Sequence, residues 1–125
     1  MTLVDTSVWI DHLRRSGDPQ LIALLKKNNV WVHPWIVGEI ACGNLAHRAR
    51  VIGELRKLPQ LAIARDQEVL LLIKRRRLMG KGIGYVDAHL LTAALAQGAR
   101  LWTRDKHLMT IAAALGILHT PSSAI

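Results

Sequence analysis

The residues of this 125-residue chain best able to do chemistry are its nine carboxylates, and their neighbours divide them into two groups. Five have ordinary explanations. Asp11 has Arg14 and Arg15 three and four positions along, and Glu54 has Arg50 and Lys57 at the same helical spacings. Asp18, Asp66 and Glu68 fall at predicted helix starts, where negative charge suits the helix dipole. The other four lack a local partner. Glu39 has Trp35, Ile36, Cys42 and Gly43 at the facing positions, and Asp87 has Ile83, Gly84, Leu90 and Leu91. Asp5 ends a first apolar strand, and Asp105 follows a later one.

An unpaired acid on an apolar face is costly, so it calls for a distant partner or a metal. Each of the four also has a plainer alternative. Asp5 could cap the first helix, Asp87 could answer a helix dipole, Asp105 could cap the last helix, and Glu39 could reach an arginine across the fold. If the fold gathers them, an all-oxygen site without a His or Cys cluster suits Mg²⁺ or Mn²⁺ and argues against structural zinc.

The elements that would position these acids alternate in type. Short β-like runs at Thr2 to Val4, Val30 to His33, Leu61 to Ala64, Leu101 to Thr103 and, weakly, Ile117 to His119 are separated by helical stretches. Predicted helices run from Val8 to Arg15, from Asp18-Pro19 onward, from Pro34 to about Leu45, and from His47 to Lys57. Others follow from Asp66 to about Met79, from Tyr85 to Gln97 with Gly98 closing it, and from Lys106 to Leu115. The expectation is an α/β fold: one domain over residues 1–125, with about five parallel strands and helices on both faces. In such a sheet the carboxyl ends of the strands form the ligand crevice, where Asp5 and Asp105 stand.

Composition sets the wider bounds. Half the residues are hydrophobic, enough for a core at this length. The longest apolar run, Ile111 to Leu118, is far short of the ~20 residues of a membrane span. Asp5 and Asp11 break any signal-peptide pattern, so a soluble cytoplasmic protein with no membrane partner is expected. The lone Cys42 fits a reducing compartment and is expected as a small buried residue. Seventeen Lys and Arg give a formal charge of +8, which favours nucleic acid or an acidic protein as partner. The run Lys74-Arg75-Arg76-Arg77 with Lys81 either offsets a helix dipole or holds RNA phosphates near the acids. Trp9, Trp31, Trp35 and Trp102 are expected in the core, with base stacking the lesser reading. His89 and His107 are expected on the surface.

The apolar strand leading into Asp5-Thr6-Ser7 and Val8-Trp9-Ile10-Asp11 resembles the opening of PIN-domain toxins of bacterial VapBC toxin–antitoxin pairs. PWIVGEIACG, with Glu39, is similar to their second acidic motif, GYVDAHLLTAAL, with Asp87, to the third, and LWTRDKHL, with Thr103 and Asp105, to the fourth. Order and spacing agree over nearly the whole chain.

The resemblance implies an Mg²⁺ or Mn²⁺ site lined by Asp5, Glu39, Asp87 and Asp105 and endonuclease activity on RNA. It also implies restraint by a VapB-type antitoxin and a homodimer. Asp5, Asp87 and Asp105 would be the metal ligands, with Glu39 ligating or orienting water. Ser7 and Thr103 would support them by hydrogen bonds, or else cap helices. Some relatives carry a further acid where this chain has His107, which puts a second metal position in doubt.

Other classes fit less well. A haloacid dehalogenase-like phosphatase needs a second Asp at position 7, which is Ser. A receiver domain needs a lysine after the fifth strand, which this chain lacks. The stronger alternative is a catalytically silent PIN-like module that binds RNA or protein, and a metal-dependent cleavage assay separates it from an enzyme.

Overall fold

Thr2, Leu3 and Val4 form β1 (Thr2–Val4), and all three are buried, so both faces of this strand are covered. The computed structural model describes residues 1–121. The strand β2 (Val30–Trp31) lies on one side of β1, and β3 (Arg100–Trp102) on the other, both parallel to it. Leu3 is in register with Trp31 and with Leu101.

The third and fifth predicted strands are reduced to one parallel bridge each, Val32 with Gln60 and Leu101 with Leu118. A side chain accounts for the first shortening. Gln97 accepts from the Ala62 amide at 3.0 Å and donates to the Ala62 carbonyl at 3.0 Å, taking bonds a longer ladder would have used.

Seven helices complete the described residues: α1 (Thr6–Arg14), α2 (Pro19–Lys26), α3 (Pro34–Ala41), α4 (Arg48–Lys57), α5 (Asp66–Arg76), α6 (Tyr85–Gln97) and α7 (Lys106–Ala114). Their boundaries follow local chemistry. Asp18 accepts from the amides of Gln20 and Leu21 ahead of Pro19, as its position before proline predicts. Gly98 closes α6 at φ 69°. The predicted ends of α3 and α5 ran too long. α3 stops at Ala41, before Cys42-Gly43, and α5 stops at Arg76 because Arg77 turns left-handed at φ 53°.

The core is one cluster in which Leu3, Ile36, Leu90, Leu101 and Leu108 are fully buried. Each such side chain stabilises the fold by roughly 1.5–3 kcal/mol. Helix α6 is its centre, with seven consecutive buried residues from Ala88 to Ala94. Because α6 leads into β3, its first turn lies at the carboxyl edge of the sheet, the edge where β1 delivers Asp5.

Three residues depart from expectation. Cys42 is exposed. Trp9 and Trp102 are core residues and Trp31 packs partly against them, but Trp35 stands outside that cluster. His89 is buried at 1 % exposure, enclosed by the rings of Trp35 and Tyr85 and by Asp66.

Candidate active site

Asp5 leaves the end of β1 with its side chain free of capping duty: its backbone carbonyl starts α1, accepting from Val8 and Trp9. The carboxylate is buried and accepts two hydroxyl bonds at one oxygen, Oδ2, from Ser7 at 2.9 Å and Thr103 at 2.8 Å. Each hydroxyl has its proton directed by a backbone amide. Arg104 N donates to Ser7 Oγ at 3.0 Å, and Asp105 N donates to Thr103 Oγ1 at 3.1 Å, so both protons are left for Asp5. Among the described residues no donor reaches Oδ1.

The other three acids are held in different ways. Asp105 caps α7 by accepting from Leu108 N at 2.9 Å through Oδ1. Asp87 sits in the first turn of α6 and accepts from Gly84 N at 3.2 Å through Oδ2, so its dipole role is real. Glu39 is exposed on α3 and accepts from Thr6 Oγ1 at 2.8 Å rather than from an arginine.

Electrostatics join the four. Burial raises the Asp87 carboxyl above its usual range, the Gly84 amide opposes this, and the carboxylates of Asp5, Asp105 and Glu39 each raise it further. Among the described residues no three acidic, His or Cys side chains are grouped tightly enough to hold a metal ion as they stand. Like charges keep such groups apart until a cation lies between them. The donor set is all oxygen and anionic, which fits a hard divalent ion, so the fit is one of chemistry and the spacing must close around the ion.

Arg104 is a part of this region that local spacing did not reveal. Its guanidinium binds Asp11 and, at 2.6 Å, Asp18, tying the β3–α7 turn to α1 and to the start of α2. Asp11 is thus paired across the fold and not with Arg14 or Arg15. The only sequence cue is that Arg104 directly precedes Asp105 in LWTRDKHL.

The basic residues divide. Helices α5 and α6 pack together from their starts at Asp66 and Tyr85, and Arg75 lines a surface pocket with Leu95 and Ala96 near the far end of α6. At 1.5 Å per residue Leu95 is on the order of 12 Å along α6 from Asp87. Lys81 adjoins Gly82, where a Cβ would stand 2.8 Å from the His107 ring, so this turn lies against the first turn of α7. A cavity of about 770 Å³ between α1, α3 and α4 is lined by residues such as Trp9, Leu13, Leu45 and Leu55 and by none of the four acids.

The chain and its fold have counterparts among known proteins. Proteins named Ribonuclease VapC32 from two strains of Mycobacterium tuberculosis are 48% identical to this chain over 118 residues, covering 94% of each. A toxin–antitoxin complex from Klebsiella pneumoniae contains a chain of the same fold, with a TM-score of 0.70 at 20% identity over 99% of this chain and 100% of that one. FitAcB from Neisseria gonorrhoeae superposes with a TM-score of 0.60 at 19% identity over 90% and 94%. The PIN domain family model matches residues 2–114, and with those relatives it establishes that this chain belongs to the PIN domain family.

Proposed function

We propose that the chain is an Mg²⁺- or Mn²⁺-dependent endoribonuclease, a single nuclease domain over residues 1–125, that acts as the toxin of a toxin–antitoxin pair. The observation that carries this is that the carboxylates of Asp5 after β1, Glu39 on α3 and Asp105 in the β3–α7 turn act together with burial to raise the carboxyl of half-buried Asp87 on α6. The extent of identity to proteins named ribonucleases supports RNA as substrate. The fold's presence in a toxin–antitoxin complex supports a VapB-type antitoxin as partner, and the assembly we propose is a homodimer. A cytoplasmic setting accords with that partner, and no described helix is long and apolar enough to cross a membrane.

Asp5, Asp87 and Asp105 would hold the ion. A divalent ion bound there supplies Lewis acidity and neutralises charge on the phosphate. Ser7 and Thr103 fix Asp5 through Oδ2, and Oδ1, which accepts from no donor among the described residues, would be the ligating oxygen. Glu39, braced by Thr6, would ligate the ion as well or orient the attacking water. Lys81, in the turn packed against the start of α7, would suit a phosphate oxygen.

The test is cleavage of labelled RNA by purified protein in Mg²⁺, in Mn²⁺ and in chelator, with Asp87→Asn alongside. Cutting that needs the ion and is lost in Asp87→Asn supports the reading. RNA binding without cutting under any ion would instead make the chain a silent PIN-like module. Growth arrest on expression, relieved by an antitoxin partner, tests the toxin role.

A further inference from the structure

Trp35 follows β2, the immediate neighbour of β1, and stands one helical turn before Glu39 on the same side of α3. Tyr85 opens α6 two residues before Asp87. Their rings are 6.5 Å apart between centroids and 51° from parallel, so they do not stack face to face on each other.

Both rings are fixed from behind. The buried His89 imidazole lies 4.1 Å from the Trp35 ring and meets Tyr85 edge-on at 4.8 Å. Asp66 accepts from Tyr85 Oη at 2.8 Å and holds His89 Nε2 at 3.2 Å. Buried His33 meets Trp35 edge-on at 6.0 Å and accepts its backbone amide at 3.0 Å. Yet Tyr85 is 42 % exposed, and Trp35 is partly exposed and outside the hydrophobic core. Two aromatic rings held rigid from below and open above, beside anionic catalytic groups on a chain of charge +8, match what an unpaired base requires: a flat apolar face whose ordering is already complete.

We propose that Trp35 and Tyr85 form a stacking platform for an unpaired nucleobase flanking the phosphodiester that is cut. This rests on the nuclease reading above and narrows its substrate to single-stranded positions, because a base held in a duplex has no free face to offer. Asp66 and His89 are positioning residues that hold the Tyr85 ring.

The experiment uses the full chain and a single-stranded oligoribonucleotide with 2-aminopurine placed in turn at each position around the cut. In chelator, where no cutting is expected, wild type should quench the fluorescence of one flanking base. Trp35→Leu and Tyr85→Leu should each abolish that quenching and weaken single-strand binding about ten- to hundredfold. Binding of the matching duplex should not change, and Trp35→Phe and Tyr85→Phe should keep most of the affinity. With Mg²⁺, an abasic residue at the quenched position should slow wild type but add little to the leucine variants.

Unchanged binding and quenching in both leucine variants would overturn the proposal. So would a loss shared equally by duplex and single strand, or a change of oligomeric state with RNA affinity intact, which would assign the rings to a protein interface. Base quenching by a wild type that cuts no RNA with any ion would support the platform while removing the nuclease reading, so the two failures are distinct.

Discussion

Thr103 Oγ1 donates to Asp5 Oδ2 at 2.8 Å, a buried bond that joins residues 98 apart in the chain. Since Thr103 also accepts from Asp105 N, one hydroxyl sets the orientation of one acid and the backbone of another. Replacing it with valine keeps the shape and removes both bonds. Thr103→Val should lower stability by about 1–3 kcal/mol, because a buried carboxylate oxygen and an amide lose a partner. Cleavage should fall roughly ten- to hundredfold through the loosened metal ligands, as for other supports of metal ligands. Thr103→Ser should recover most of both. Denaturant melts and single-turnover cleavage measure the two effects, and a valine variant with wild-type rates would show that the hydroxyl does not position Asp5.

Asp87 leads to a prediction whose sign is set by its raised folded-state pKa. Between the unfolded and folded values the native state binds more protons than the unfolded one, so stability declines as pH rises through that window and the deficit persists above it. Asp87→Asn should therefore melt higher than wild type in chelator near neutral pH, and the difference should shrink on acidification below the unfolded value. Excess Mg²⁺ should raise the wild-type Tm and move the variant much less. Equal melts in chelator at all pH values would mean that the acids do not share a pocket.

Arg104 binds two acids with one planar fork, a geometry lysine cannot copy. With the guanidinium 35% exposed, losing the pairs should cost only about 1 kcal/mol of stability. The adjacent Asp105 should lose its placement, and cleavage should drop about ten- to a hundredfold in both Arg104→Ala and Arg104→Lys. A kinetic loss much larger than the stability loss is the expected pattern in paired melts and rate measurements. Equal and small effects on both would make the fork an ordinary surface ion pair.

His33 is fully buried, and burial, helped by the neighbouring His89, lowers its pKa to about 4. Its Nδ1 accepts from Trp35 N, so the ring proton of the neutral form is on Nε2, which has no partner. Between the unfolded value near 6.5 and about 4 the unfolded state binds more protons, so stability present above pH 6.5 should be lost as pH falls toward 4. The full effect is on the order of 3 kcal/mol. His33→Asn retains a capping side chain but cannot titrate. Its stability at pH 7 should be lower, through lost packing, while the slope between pH 4 and 6.5 should flatten. Chemical denaturation across that range gives the answer, and an unchanged slope would assign acid sensitivity to other groups.

Much of the site was legible before the fold. Glu39 and Asp87 stood out because helical spacing offered them no cation, and Asp5 and Asp105 because each ends an apolar strand. Those judgements use residues within about four positions, the range over which caps, dipoles and periodicity act. The same range explains why Asp18, Pro19 and Gly98 mark helix ends where they were expected.

What the sequence determined by itself, then, is local: the alternation of elements, the helix starts, and which acids lacked a neighbour. Only the tertiary structure decided which hydroxyls face Asp5, that Arg104 claims Asp11, and that His89 is buried against Trp35 and Tyr85. Each of those depends on segments far apart in the chain, brought together by burial of α6 between the sheet and its neighbouring helices. A side chain's partner is set by the free energy of that whole packing. Burial and distance, which decide whether a charge is paired or left for a ligand, do not exist until the chain has folded.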